Sequence, residues 1–271
     1  MNAAYDLKET LMLDMKNQYE AAFCTTVKNR RMHLEVTLPH NLRVLSETNC
    51  QMIIVDFESD DFLINFVAHS FQRELALEKL VYYTVGPAPI YERSKSRNIA
   101  FSLANAEYVC NLDADNFLGM NFWHYAKQHL QTVDFLQGCQ ELENDCLFFH
   151  GTQGASGRLV TRKSVFDSIG GYDQTLQGYG YEDLDIYRRL EKAGYTGKLI
   201  DEAIFLQSID HDNDLRIKHH DLPDVTVAHK INKYISQLNI EGGNYKANLG
   251  EKKDSLRLKR LGQKQENQIS F

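Results

Sequence analysis

The sequence predicts an α/β fold: a mostly parallel central sheet with helices on both faces, in a single domain. Short apolar, β-branched runs recur through the first 112 residues, and stretches of helical periodicity fill the gaps between them. The residues directly after these runs are charged, and it is at the carboxyl ends of such strands that parallel sheets hold their ligands.

In chain order, Leu7, Leu11 and Met15 lie at four-residue spacing, which predicts a helical extension over residues 1–20. The main domain is expected over 21–240, with a first half 21–120 and a second half 121–240. Ala21 to Val27 (AAFCTTV) has the composition of a buried strand and runs into the polar Lys28-Asn29-Arg30-Arg31. Met52 to Val55, Leu80 to Val85 and Tyr108 to Leu112 repeat that pattern, with helices expected over Leu34 to Leu45, Phe62 to Leu77 and Ser96 to Ala106. Charge gathers after three of the four strands, at 28–31, 56–61 and 113–116.

The second half is less regular. Gly151 to Gly157 and Gly170-Gly171 mark loops, and a helix is expected to start near Arg162. Asp183 to Ala193 reads as a helix closed by Gly194. A strand follows at Lys198 to Ile200, then a polar stretch with His211, then a helix over Val225 to Leu238. Residues 241–271 hold seven Lys or Arg against four Asp or Glu, a net of +3, and are expected to form a flexible basic tail. A patch docking on anionic membrane lipid is the sharper alternative for that tail.

Composition narrows the partners. Of the 271 residues, 43% are hydrophobic and 25% charged, as in a folded globular protein. A net charge of −7 argues against nucleic acid, whose phosphates are bound by clustered Lys and Arg. The five cysteines include no CxxC pair, and Cys24 and Cys110 lie in apolar runs, so they read as buried thiols in a reducing compartment. The N-terminus lacks a basic start followed by an apolar stretch, and no run approaches the roughly 20 apolar residues of a membrane span. A cytoplasmic location is expected, with any membrane contact peripheral, on its inner face.

Two acidic motifs carry the chemistry. Asn111-Leu112-Asp113-Ala114-Asp115-Asn116 ends a strand with two carboxylates, and hard divalent cations take carboxylate and phosphate oxygens. Asp or Asn after a strand also makes ordinary turns, so the motif depends on its context. Tyr181-Glu182-Asp183-Leu184-Asp185 opens a helix, where acids are favoured by the helix dipole whatever else they do. In Asp210-His211-Asp212, His211 offers an imidazole for a transition metal, with Arg216 near it for phosphate and His219, His220 and His229 as competitors. Gly154 to Gly157 would let a sugar approach the backbone, or form a plain loop. Trp123, Phe122 and Tyr125 could stack on a sugar, though aromatics at helical spacing more often fill a core.

In Thr25 to Arg30 (TTVKNR), Ser96 to Ala100 (SRNIA), Glu107 to Asn116 (EYVCNLDADN), Gly170 to Asp173 (GGYD) and Gly178 to Asp185 (GYGYEDLD), the chain resembles the GT-A glycosyltransferases. It is most similar to family 2, with a second half like the C-terminal part of the family 7 galactosyltransferases. The resemblance covers roughly residues 20 to 215, and it rests on the order and spacing of the segments. It implies metal coordination by Asp115, with Asp113 on the ribose or the metal and His211 completing the site. Mn²⁺ or Mg²⁺ is the implied cofactor. Thr25, Arg30 and Arg97 would line the nucleotide pocket. Asp56 matches only the first of two successive aspartates that family 2 carries after its second strand, which leaves the base open. Asp183 would be the base of an inverting transfer and Glu182 its acceptor-binding neighbour. The related retaining galactosaminyltransferases carry Asn at the position of Asp183, and an amide cannot serve as a base at neutral pH.

The implied activity is transfer of a hexose or N-acetylhexosamine from a nucleotide sugar, UDP-linked by resemblance, to a glycan or lipid-linked glycan acceptor. Two rivals stand beside it. A sugar nucleotidyltransferase would carry a Gly-rich phosphate loop after the first strand, where TTVKNRR has no glycine. A non-catalytic sugar-binding relative would need neither Asp115 nor Asp183.

Overall fold

A computed structural model describes residues 18–87, 91–143, 146–210, 224–250, 255–263 and 266–270. Strand β1 (Tyr19–Val27) opens the fold and is followed by α1 (Arg31–Leu45), β2 (Cys50–Asp56), α2 (Leu63–Ser70), α3 (Gln72–Ala76), β3 (Leu80–Gly86), α4 (Arg93–Ser102) and β4 (Ala106–Asn111). The short β5 (Asn116–Phe117), α5 (Phe122–His129) and β6 (Phe135–Gln137) come next, then the hairpin of β7 (Gln140–Glu141) and β8 (Leu147–Phe148). After β9 (Leu159–Arg162), α6 (Lys163–Ser168) and α7 (Glu182–Lys192) come β10 (Gly197–Leu199), β11 (Gln207–Ser208) and α8 (Val225–Glu241). Two strands close the chain, β12 (Ser255–Arg260) and β13 (Glu266–Ser270).

Nine strands form one sheet in the order β10-β6-β9-β4-β1-β2-β3-β12-β13. The pairs β4–β1, β1–β2, β2–β3 and β10–β6 are parallel, while β9 and β12 run against their neighbours, so the sheet is mostly parallel as expected. Strand β1 is central and buried on both faces. Phe23 with Met52 and Ile54 joins one core together with Leu34, Leu38, Val67 and Phe122 from the helices α1, α2 and α5. Cys24 with Ile53 and Val55 points the other way, into a second core with Ile99, Phe166, Leu184 and Leu190 from α4, α6 and α7. Side chains alternate across a strand, so continuous apolar runs require cover on both faces.

Several expectations change. Residues 19 and 20 belong to β1 rather than to a helical extension, because Tyr19 already pairs with Ala106; residues 1–17 lie outside the described set. The helix expected over 62–77 is broken at Phe71, whose ring turns inward against Phe66 at 5.6 Å. The larger correction is the tail. In SLRLKR the two leucines alternate with basic residues, the period of a half-buried strand. Leu256 and Leu258 are buried in the second core while Arg257 to Arg260 pair with β3, so this part of residues 241–271 is sheet and not a free tail.

Trp123 is core. Its indole donates to Glu20 at 2.9 Å and meets Phe23 edge-on, while Phe122 is fully buried and Tyr125 donates to Asp201 at 2.7 Å. Cys24, Cys50, Cys110 and Cys139 are buried free thiols, and Cys146 is exposed. Among the described residues no helix is long and apolar enough to cross a membrane.

Candidate active site

The register of the sheet brings the strand ends to one edge. Val27 is level with Asp56, and Cys24 is level with Asn111, so the turn that follows β4 opens beside the end of β1. In that turn the Asn116 amide N–H donates to the Asp113 carbonyl at 2.9 Å, and Thr37 of α1 donates to the Ala114 carbonyl at 2.7 Å. Both carboxylates of Asp113 and Asp115 line a cleft of about 220 Å³. The Asn111 side chain donates to Asp113 Oδ1 at 3.2 Å, and that of Asn116 to Asp115 Oδ1 at 2.8 Å.

The second acidic motif reaches the same cleft by a different route. Gly178, Tyr181 and Gly180 all have positive φ, at 74°, 75° and 89°, and wind the chain tightly into the first turn of α7. Glu182 and Asp183 sit in that turn and both line the cleft. Asp185, in the same motif, does not: it is fully buried and pairs with Arg189 at 2.7 Å. Arg189 in turn donates to the carbonyls of Ile169 and Gly171, at 3.2 and 2.7 Å, which fixes the Gly170-Gly171 turn. Helix α8 steadies the loop from outside. Asn232 donates to the carbonyls of Gln177 and Gly180 at 3.0 and 2.8 Å, and Asn239 to Asp173 at 3.0 Å.

Arg97 joins the two motifs. It is 2% exposed, and its Nη1 donates to Asp183 Oδ1 at 2.6 Å and Glu182 Oε1 at 3.3 Å. Its Nη2 donates to Asp113 at 3.2 and 3.4 Å, and its guanidinium lies 5.3 Å from the Tyr172 ring centre. The Arg97 fork, expected to line the nucleotide pocket, is therefore occupied by carboxylates. Arg93, one helical turn earlier, donates to Glu182 at 3.1 Å and stacks on Tyr179 at 4.3 Å.

These contacts set the charges. Burial pushes the Asp183 carboxyl up, the negative Glu182 and Asp113 push it further, and Arg97 only partly offsets them, leaving it at about 7. Burial also acts on Asp113 and Glu182, but there Arg97 and Arg93 outweigh it and both acids fall below the usual carboxylate range. Two glycines permit the approach. A Cβ on Gly157 would stand 2.6 Å from Asp183 Oδ2, and one on Gly154 would stand 2.4 Å from Ser208 Oγ and 3.8 Å from Asp115 Oδ2. Gly157 thus makes room for the Asp183 carboxylate and Gly154 for the Ser208 hydroxyl.

Of the residues singled out in the sequence, Arg30, Arg97, Asp113, Asp115, Glu182 and Asp183 line one cleft. Thr25 does not: it points inward and donates to the Leu112 carbonyl at 2.6 Å, tying β1 to the acid turn, and the neighbouring Thr26 faces the cleft instead. Asp56 is also turned away. It is buried, accepts from the Ser59 amide at 2.9 Å and from the Tyr82 hydroxyl, and burial pushes its pKa up. His211 and Arg216 lie outside the described residues, although Ile209 donates to the Asp115 carbonyl at 2.8 Å. His229, named among the competitors, does line the cleft.

Lys28, in the charged stretch expected to face a ligand, joins the lining, and sequence reasoning missed Thr26, Tyr91, Arg93 and Tyr179 there. Arg93 alone had a signal, standing four residues from Arg97 on one helix face.

Among the described residues no three His, Cys, Asp or Glu side chains gather into a complete metal site. Asp115 and Asp113 nevertheless fit a hard divalent cation that draws its remaining ligands from substrate phosphate and water. Asp113 keeps 29% of its side chain exposed and Asp115 faces the cleft beside it.

Comparison with known proteins bears on this site. A family model described as the N-terminal domain of galactosyltransferase matches residues 147–220, which contain Glu182 and Asp183. No curated protein matches in sequence. A mannosyltransferase from Pyrobaculum calidifontis is similar in structure at a TM-score of 0.56 and 15% identity, over 76% of this chain and 64% of that one. The chain therefore spans somewhat less than two thirds of that protein. TarS from S. aureus, residues 1–349, gives 0.53 at 13% identity over 85% and 76%. The catalytic domain of Drosophila β1,4-galactosyltransferase 7 gives 0.50 at 14% over 81% and 79%. The fold is that of the GT-A glycosyltransferases.

Proposed function

We propose that this protein is an inverting, metal-dependent glycosyltransferase that moves a hexose or N-acetylhexosamine from a nucleotide sugar to a hydroxyl of a glycan or lipid-linked acceptor. The observation that carries the proposal is the convergence of Asp113 and Asp183 on Arg97 in one cleft, which sets a metal-binding acid and a candidate base on opposite sides of a shared guanidinium.

The base must take the acceptor's hydroxyl proton as that oxygen attacks the anomeric carbon, on the face opposite the leaving diphosphate. Asp183 suits the step: it is 20% exposed toward the cleft and its pKa of about 7 is matched to neutral pH. The proton passes to Asp183, the new C–O bond forms at the anomeric carbon, and the bond to the diphosphate oxygen breaks with its electrons. A bound Mn²⁺ or Mg²⁺ held by Asp115, with Asp113 beside it, would offset charge on that diphosphate. Lys28 and Arg30 in the lining supply further positive charge for the phosphates, and Arg93 holds Glu182 for the acceptor side.

The solved relatives support this choice of ligands. The mannosyltransferase was solved with GDP-Man and Mn²⁺, TarS with UDP and with UDP-GlcNAc, and a mutant of the Drosophila enzyme with manganese, UDP-Gal and xylobiose. A UDP-sugar is the donor we favour. We further propose a cytoplasmic location, which the free buried thiols Cys24, Cys50, Cys110 and Cys139 suit, with any lipid-linked acceptor reached from the membrane surface.

A screen of nucleotide release from UDP- and GDP-sugars, with and without Mn²⁺, tests the proposal, with product stereochemistry read by NMR. Turnover that needs Mn²⁺ and inverts the anomeric centre is expected. Metal-independent turnover, or retention at that centre, overturns it.

A further inference from the structure

We propose that Asn116 and Arg158 are positioning residues that fix the orientation of the Asp115 carboxylate, Oδ1 toward the Asn116 amide and Oδ2 toward Gly154, before any cation binds. The inference rests on the metal-binding reading of Asp115. Arg158 is 1% exposed, yet among the described residues it forms no ion pair. Its Nη2 donates to Asn116 Oδ1 at 3.0 Å and its Nη1 to the Phe117 carbonyl at 3.3 Å and to the Phe205 carbonyl, with the Phe122 ring 5.4 Å from the guanidinium. A buried cation met only by neutral acceptors, with its Nε left without a hydrogen-bond partner, is a costly way to fill a core beside an aromatic ring, where Leu or Met would pack without that cost. What an apolar residue could not do is orient an amide.

Arginine carries donors only, so the Asn116 oxygen must face it and the NH₂ must face away. That NH₂ donates to Asp115 Oδ1 at 2.8 Å and to the Gly154 carbonyl at 3.0 Å. The amide has one orientation consistent with all three partners. It holds Oδ1 and turns Oδ2 to the Gly154 side of the cleft, where an added Cβ on Gly154 would stand 3.8 Å away. The backbone is fixed as well: Asn41 donates to the Asn116 carbonyl at 2.9 Å, and β5 pairs with β11, from whose end Ile209 donates to the Asp115 carbonyl. By holding the Phe117 and Phe205 carbonyls, Arg158 ties the acid turn to the chain segment that flanks it. Partners one shell out from a ligand commonly shift metal affinity by about 10- to 100-fold.

The test measures binding of Mn²⁺, alone and with UDP, by the loss of the free-ion EPR signal, alongside circular dichroism and thermal unfolding. Asn116→Leu removes the amide at similar volume, and Asn116→Asp keeps the bond to Arg158 but sets an oxygen against Asp115. Both are expected to weaken Mn²⁺ binding by roughly 10- to 100-fold with the fold intact. Arg158→Met should do the same, with Arg158→Lys recovering part of the loss. Folded Asn116 variants that bind Mn²⁺ like the parent overturn the proposal and reduce Arg158 to a structural role. Asp115→Ala separates the two failures. If it abolishes Mn²⁺ binding while the Asn116 variants do not, only the positioning inference falls; if it too binds normally, the metal reading falls and the inference with it.

Discussion

Asp113 stands at the end of a central strand, and Asp183 in the first turn of a helix reached through a glycine-rich loop. They touch one guanidinium, at 3.2 and 2.6 Å, and burial pushes both carboxyls up. Their outcomes differ because of what else each one meets. Arg93 lowers both, more strongly at Asp113, which also accepts from the Asn111 amide and stays below the usual range. Asp183 faces the negative Glu182 and Asp113 across the shared arginine and rises to about 7. One carboxylate is thereby kept as an anion for a cation or a ribose hydroxyl, and the other is poised to accept a proton. Environments that push two acids apart are how acid–base roles are divided.

The sharpest way to break this comparison is to remove Arg97. In Arg97→Met the buried Glu182 and the part-buried Asp113 and Asp183 lose their common partner, and breaking a buried pair from one side costs about 3–5 kcal/mol. Denaturant unfolding should show a loss of that size. Metal binding and turnover should fall together, because both motifs depend on the same side chain. If Mn²⁺ binding survives while turnover is lost, the two motifs are held independently.

Asp183→Asn comes second. Its rate should drop by about 10²- to 10⁴-fold, the usual worth of a general base. Stability should move the other way. The folded pKa of about 7 lies above that of an exposed aspartate, so between pH ~4 and ~7 the folded state binds more protons than the unfolded one. Stability therefore falls as pH rises through that window and stays lowered above it. Asn mimics the neutral form, so the variant should melt higher than the parent at pH 8 and alike at pH 4. In the parent, kcat/KM should rise with pH and level off above about 7. A variant that melts lower at pH 8 would show that Asp183 is held chiefly as an anion.

Much of this arrangement could be read in the sequence, and its omissions have physical causes. Asp113, Asp115, Glu182 and Asp183 were visible because a strand end and a helix start are local events that leave local marks. The partner of Arg97 was not, since Asp183 lies 86 residues away and only the fold brings them together. Thr25 was displaced by one position: side chains alternate along β1, and which phase faces the cleft depends on the pairing with β4. Asp56 follows its strand as expected but finds the Tyr82 hydroxyl from β3, an inward partner that no spacing announces. The strand in the tail was masked by its charge, because Leu256 and Leu258 are the only apolar residues in SLRLKR and alternation that short resembles chance.

The glycines of the 153–157 loop sharpen the comparison at smaller scale, since each adjoins a different motif. In Gly157→Ala the new methyl would stand 2.6 Å from Asp183 Oδ2, and a displacement of about 1 Å at a reacting group can cost 10²-fold. A fall in kcat approaching that size is expected, with Mn²⁺ binding unchanged. Gly154→Ala should do the reverse, raising the Mn²⁺ needed for half-maximal activity with a smaller effect on kcat, because its methyl meets Ser208 on the Asp115 side. Identical kinetic signatures from the two variants would mean that the loop acts as one rigid piece.

The smallest effect is expected furthest from the chemistry, at Asn232 on α8. Its amide satisfies the carbonyls of Gln177 and Gly180, the loop that delivers Tyr181 and the Glu182-Asp183 turn. Asn232→Ala strands both carbonyls, at a cost of about 1–3 kcal/mol if they stay buried and less if water replaces the amide. Asp113 depends on this helix only indirectly, through Arg97, because its turn is held by Asn111, Thr37 and the sheet. Loosening α8 should therefore raise the acceptor KM a few-fold and leave Mn²⁺ and donor binding untouched. Equal losses on both sides would instead make α8 a support for the whole cleft, and the division between a sheet-held acid and a loop-held base would fail.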